Sequence, residues 1–198
     1  MSVVGPAAIT AACGYVMGSV PAAVVVAARQ GVDIRSVGDR NPGYWNAKET
    51  LGWRAALPVL LVDAVKGAAA AGIGMLAARW WAPTAWWLPY LGGLAAMVGH
   101  AWPVFARFRG GRCVLTFLGA IVAINPIESL LALVVCVVLL AVLRRFSLAV
   151  RIGVFALPVV QAFFDPRAHV AFTGAMMTLI GVRFAQAAVA NANAAAAA

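Results

Sequence analysis

The chain has 198 residues, of which 64% are hydrophobic and only 11% charged, yet it carries a net charge of +9. Soluble domains run about half apolar and about a quarter charged, so too little polar surface is present to cover a water-facing globule. The basic residues sit in short loops between apolar runs, which speaks against nucleic acid as a partner, and the length suits one domain.

A membrane-crossing helix needs about 20 apolar residues, and backbone groups in lipid must be satisfied internally, so apolar runs without alternation predict helices. Spans are expected near 6–28, 55–78, 85–105, 113–125, 127–143, 148–164 and 169–184. The fold class expected is therefore an all-α polytopic membrane protein with about seven transmembrane helices. The first run has no basic stretch before it and does not read as a cleaved signal peptide. The loop after it, Gly31 to Asn46, mixes glycines with Arg35, Arg40, Asn41 and Asn46. Such a loop forms either an anion-binding concavity or a plain polar turn.

Asp63 and Lys66 lie inside the second span at i, i+3, on one helical face. Ionisable groups at that depth are costly and are paired or functional; a mutual ion pair is the simpler reading. Trp80, Trp81, Trp86 and Trp87 flank the next loop as an interfacial belt would. His100 ends the third span, and the turn that follows reads Arg109–Gly110–Gly111–Arg112 and opens onto a helix containing Thr116. That pattern suits either a phosphate on a helix N-terminus or a basic loop gripping anionic headgroups. The fourth span is short for a crossing and is expected to be tilted or broken. Cys13, Cys113 and Cys136 have no paired spacing and predict neither a metal motif nor a disulfide framework. Residues 1–186 read as one transmembrane domain and 187–198 as an Ala-rich low-complexity tail with no assigned function.

Seven crossings put alternate loops on opposite sides. One side collects Arg29, Arg35, Arg40, Lys48, Arg54, Arg107, Arg109, Arg112, Arg144, Arg145, Arg151 and Arg183. The other holds Arg79 and Arg167, with Lys66 inside a span. Lys and Arg stay cytoplasmic, so an external N-terminus and a cytoplasmic C-terminus are expected.

Several of these stretches together resemble the bacterial acyl-phosphate:glycerol-3-phosphate acyltransferases, the PlsY family. The likeness includes Gly18–Ser19, Arg35, the Gly38–Asn41–Gly43–Asn46 framework and Leu61 to Gly67. It continues through Gly99–His100, Pro103, Phe105 and Phe108, then Arg109 to Arg112, Thr116, and Phe146–Ser147–Leu148. The resemblance implies a seven-spanning protein of the bacterial plasma membrane with its motifs on the cytoplasmic side. It implies transfer of a fatty acyl group from acyl phosphate to glycerol 3-phosphate, giving lysophosphatidic acid, without cofactor, metal or covalent acyl-enzyme. Partners would be the two phosphate substrates and membrane lipids, with a membrane complex as a further option. Arg35, Asn41, Asn46, His100, Arg109, Gly110, Gly111, Arg112, Thr116 and Ser147 would be the substrate-binding candidates.

The motifs also depart from the family pattern. Asp39 and Arg40 replace Ser and Gly, Tyr44–Trp45 replace Ala-Thr, both Lys of the second motif are Arg, and Cys113 and Leu115 replace Gly and Ala. Of the third motif only Arg183 matches, followed by Phe184–Ala185–Gln186. Asp39 is expected to repel a phosphate unless Arg40 neutralises it. The alternative to an enzyme is a silent relative that scaffolds a complex or holds a lipid. An open cavity lined by Asn41, Arg109 and Arg112 would favour the enzyme; plugging by Tyr44, Trp45 or Leu115 would favour the silent relative.

Overall fold

The computed structural model describes residues 2–196, without the side chains of residues 146–151, Ala194 and Ala195. Those residues form nine α-helices: α1 (Val4–Gly18), α2 (Ala22–Ala28), α3 (Tyr44–Leu51), α4 (Trp53–Trp81), α5 (Leu88–Ala101), α6 (Val114–Ile124), α7 (Pro126–Leu143), α8 (Phe146–Phe164) and α9 (Arg167–Ala196). Helices occupy each of the seven stretches expected to span. Among the described residues four segments have the length and apolarity to cross a membrane: Val4–Ala28, Trp53–Trp81, Pro126–Leu143 and Arg167–Asn193. α6 is an apolar helix of 11 residues, as short as its sequence implied.

The first span is interrupted rather than continuous. Pro21 has no N–H to give, and its ring would strike the carbonyl one turn back, so α1 stops at Gly18 and α2 starts at Ala22. The third span ends at Ala101, before Trp102–Pro103. One helix was not foreseen: α3 is polar overall, and it packs on α2 and α4 through Asn46 and Ala47, both fully buried. The Ala-rich tail continues α9 to Ala196, consistent with the helix preference of alanine.

The core is α1, α4, α5 and α6, packed backbone to backbone. A Cβ at Gly18 would collide with the main chain of Ala96, and one at Gly67 with the carbonyl of Thr116. Small residues permit this approach, which drives helix association where lipid supplies no hydrophobic force. α7 faces outward; of its residues only Ala132 is buried.

The two ends of the bundle differ in chemistry. At one end Tyr90, Asn125, Gln161 and Asp165 form a hydrogen-bonded chain, with Tyr90 Oη donating to Asn125 Oδ1 at 2.9 Å and Asn125 Nδ2 donating to Asp165 Oδ2 at 2.9 Å. The Trp86 ring stacks on His169 beside it, centroids 4.5 Å apart. The other end gathers the loop after α2, the turn after α5 and the C-terminal part of α9, and with them most of the arginines.

Candidate functional site

The loop after α2 is folded around Asn46. Its Nδ2 donates to the carbonyls of Ile34 (2.9 Å) and Val37 (3.0 Å), and its Oδ1 accepts from Thr50 (3.2 Å). Asn46 is fully buried, so its amide organises the loop rather than facing a cavity. Gly38 has φ +56°, and a Cβ there would strike Asn46 Oδ1, so glycine is required on two counts. Arg35 is half-exposed and holds Asp33 at 3.0 Å. The Arg35 backbone N–H and then its guanidinium keep the Asp33 carboxyl below its usual range.

The turn after α5 is tied down on both sides. The N–H groups of Gly110 and Gly111 donate to the carbonyls of Ala101 (3.2 Å) and His100 (3.1 Å). Their own carbonyls accept from Arg183 of α9, at 2.9 and 3.1 Å respectively. A Cβ at Gly110 would hit the His100 carbonyl, and one at Gly111 the His100 ring nitrogen Nε2. The Gly110 and Gly111 amides are therefore spent on the end of α5, which leaves the guanidiniums and the first amides of α6 to meet an anion. Three non-glycine residues of this segment, Arg107, Phe108 and Cys113, have φ between 54° and 66°. Strain of this kind persists only where the surroundings over-determine it, and clusters at functional sites.

Beneath the turn lies a buried charged cluster. Lys66 Nζ donates to Asp63 Oδ1 at 2.8 Å and to the Val20 carbonyl at 3.2 Å, and meets His100 Nδ1 at 2.6 Å. Asp63 Oδ1 is 3.5 Å from His100 Nδ1. The expected Asp63–Lys66 ion pair is thus present, extended by His100 and by a carbonyl at the Pro21 break. Removing one partner from such a pair costs far more than the pair itself contributes, because a bare charge is left buried.

Two open cavities flank the turn. The first, about 530 Å³, is lined by Arg35, Arg107 and Arg109 together with Val24, Phe105 and Ala106. The second, about 290 Å³, is lined by Arg40, Arg112 and Arg183 with the polar side chains of Asp39, Asn41, Gln186 and Asn191. Between them a crevice of about 10 Å³ reaches Asp63 and His100. It shares Val24 and Arg109 with the first cavity, and Pro42 and Gly110 with the second.

The departures from the resemblance fall into place here. Arg112 rather than Arg40 meets Asp39, at 2.7 Å, and also lies over the Phe184 ring. Cys113 is buried, its thiol directed to the Met97 carbonyl at 3.1 Å. Tyr44, Trp45 and Leu115 line neither cavity; Tyr44 packs under the loop, and Lys48 lies over the exposed Trp45 ring. Thr116 is fully buried and its hydroxyl has no partner among the described residues. The Ser147 side chain lies outside the described residues. Among the described residues no group of three or more His, Cys, Asp or Glu is placed to hold a metal. Arg107, Gln186 and Asn191 join the cavities without having been foreseen; Asp63 and Lys66 had a signal in their depth and spacing.

The sequence model of the family described as "Glycerol-3-phosphate acyltransferase" matches residues 8–192. The chain belongs to that family. A glycerol-3-phosphate acyltransferase from Laribacter hongkongensis is 38% identical over 175 residues, 87% of this chain and 86% of that one. One from Clostridioides difficile is 37% identical over 152 residues, 76% of this chain and 74% of that one. The crystal structure of PlsY, an integral membrane glycerol 3-phosphate acyltransferase, in its glycerol 3-phosphate form superposes with a TM-score of 0.78 at 28% identity. That match covers 91% of this chain and 88% of the other. The lysophosphatidic acid form of the same enzyme gives a TM-score of 0.74. The fold is thus that of an integral membrane acyltransferase of phospholipid synthesis, and family membership does not favour the silent scaffold.

Proposed function

We propose that this chain is a membrane glycerol-3-phosphate acyltransferase that takes its acyl group from acyl phosphate. The observation that carries the reading is the pair of arginine-lined cavities on either side of one narrow crevice at His100. A reaction between two phosphate-bearing substrates needs two anion sites that bring the reacting atoms together. The first cavity mixes three arginines with Val24, Phe105 and Ala106, which suits a headgroup carrying an acyl chain. The second adds Asp39, Asn41, Gln186 and Asn191 to its arginines, which suits a small polyol phosphate.

In the reaction the 1-hydroxyl oxygen of glycerol 3-phosphate attacks the acyl carbon. The acyl carbon–oxygen bond to phosphate breaks, and the hydroxyl proton leaves with the departing phosphate. Guanidiniums at the turn offset the charge of both anions, and donors near the crevice stabilise the developing oxyanion. The topology that goes with this reading is seven spans in a bacterial plasma membrane, with the arginine-rich end in the cytoplasm.

Purified protein supplied with acyl phosphate and a panel of phosphorylated acceptors, with products read by mass, tests the proposal. Lysophosphatidic acid from glycerol 3-phosphate is the expected product. A folded preparation that acylates no acceptor would favour the silent scaffold instead.

A further inference from the structure

The hydrogen bonds around Lys66 fix more than a buried charge. A lysine ammonium has three donors and no acceptor. Here it has three neighbours: Asp63 Oδ1 at 2.8 Å, the Val20 carbonyl at 3.2 Å and His100 Nδ1 at 2.6 Å. Two of these are oxygens that can only accept, so the third N–H is directed at the imidazole. His100 Nδ1 sits closer to Lys66 than to the Asp63 carboxylate, 2.6 against 3.5 Å. Nδ1 is therefore the accepting nitrogen, and the proton of the neutral ring is on the other one. Nε2 lies against Gly111, where a Cβ would strike it, and makes no hydrogen bond to a described residue. The ring also lines the crevice that shares walls with both cavities.

We infer that Lys66 is a positioning residue that holds His100 in its Nε2–H form, so that His100 donates a hydrogen bond to an oxygen of the acyl phosphate group rather than accepting a proton as a base. The inference rests on the acyl-transfer reading for its ligand, but the state of the ring does not. A base at this position would need a bare nitrogen facing the crevice; the nitrogen available to accept is already occupied by Lys66. Asp63 and the Val20 carbonyl at the Pro21 break accept the other two Lys66 N–H groups and hold the side chain in place.

Nitrogen-15 spectra of histidine-labelled protein test this directly. The chain has two histidines, so a His169→Gln variant assigns the His100 ring. A neutral ring protonated on Nε2 is expected; an Nδ1–H ring or an imidazolium would overturn the inference. Lys66→Met alone leaves Asp63 unpaired, so the second arm uses Asp63→Asn/Lys66→Met, in which no charge is stranded. There the ring should move to a mixture of tautomers, and a ring still wholly Nε2–H would show that Lys66 does not set it. A non-hydrolysable acyl phosphonate added to otherwise unsubstituted protein should shift the Nε2 resonance while leaving Nδ1 nearly still. Saturating phosphonate that leaves Nε2 unmoved would remove the donor role. Failure of the acyl-transfer assay would leave the tautomer result untouched, so the two readings fall separately.

Discussion

Replacing Asp39 by Asn tests how the second cavity manages its own carboxylate. Asp39 and Arg112 form an ion pair at 2.7 Å, with side chains 36% and 20% exposed. Solvent reaches both, so the pair contributes about 0.2–1 kcal/mol rather than the value its length alone would suggest. An incoming phosphate competes with Asp39 for the Arg112 guanidinium, and it also meets a like charge. The Asn isostere keeps Oδ1 as the acceptor for the Asn41 N–H, now 3.1 Å away, so the local turn is retained. One kcal/mol is a factor of about 5 in an equilibrium constant. KM for glycerol 3-phosphate should therefore fall by up to about fivefold, with kcat and KM for acyl phosphate unchanged. Initial rates measured by varying one substrate at a time, with lysophosphatidic acid read by mass, supply the numbers. A rise in KM for glycerol 3-phosphate, or a change confined to acyl phosphate, would refute the reasoning.

Asn46→Ala removes three hydrogen bonds and leaves the Ile34 carbonyl bare under the loop, while the Val37 carbonyl keeps the Arg40 N–H. Losses of about 1–3 kcal/mol are expected for each buried group left unsatisfied, seen as a lower thermal midpoint and faster proteolysis between α2 and α3. Arg183→Lys cannot hold both the Gly110 and Gly111 carbonyls in the fork that a guanidinium provides. Acyl transfer should fall at least tenfold with the helical circular dichroism unchanged; undiminished transfer would show the clamp to be dispensable. Single cysteines at Arg40 and Arg144 should label from the same side of the membrane, and labelling from opposite sides would break the seven-span topology.

Much of the fold was legible because its signals are long. Apolar runs, and arginines concentrated in alternate loops, mark the helices without any knowledge of packing. The break at Pro21 was legible in principle, since proline cannot continue a helix, but a uniformly apolar stretch conceals it. α3 was not legible: Tyr44 to Leu51 is short and mostly polar, and only tertiary contact shows that Asn46 faces inward. At the site, residue identities told more than residue roles. Gly110 and Gly111 are substrate-binding candidates, yet their amides close onto α5. Adjacency points to Arg40 as the neutraliser of Asp39, yet Arg112, distant in sequence, forms the pair. The Ala-rich tail carried no signal for a cavity wall, because Asn191 acquires that place only through the continuation of α9.

The central claim is that two separate cavities take the two phosphates. Arg107→Ala opens only the first and Arg40→Ala only the second. Steady-state kinetics of both variants, against both substrates, tests the claim most directly. Arg107→Ala should raise KM for acyl phosphate alone, and Arg40→Ala should raise KM for glycerol 3-phosphate alone. Variants that raise the same KM, or that exchange these effects, would contradict the account.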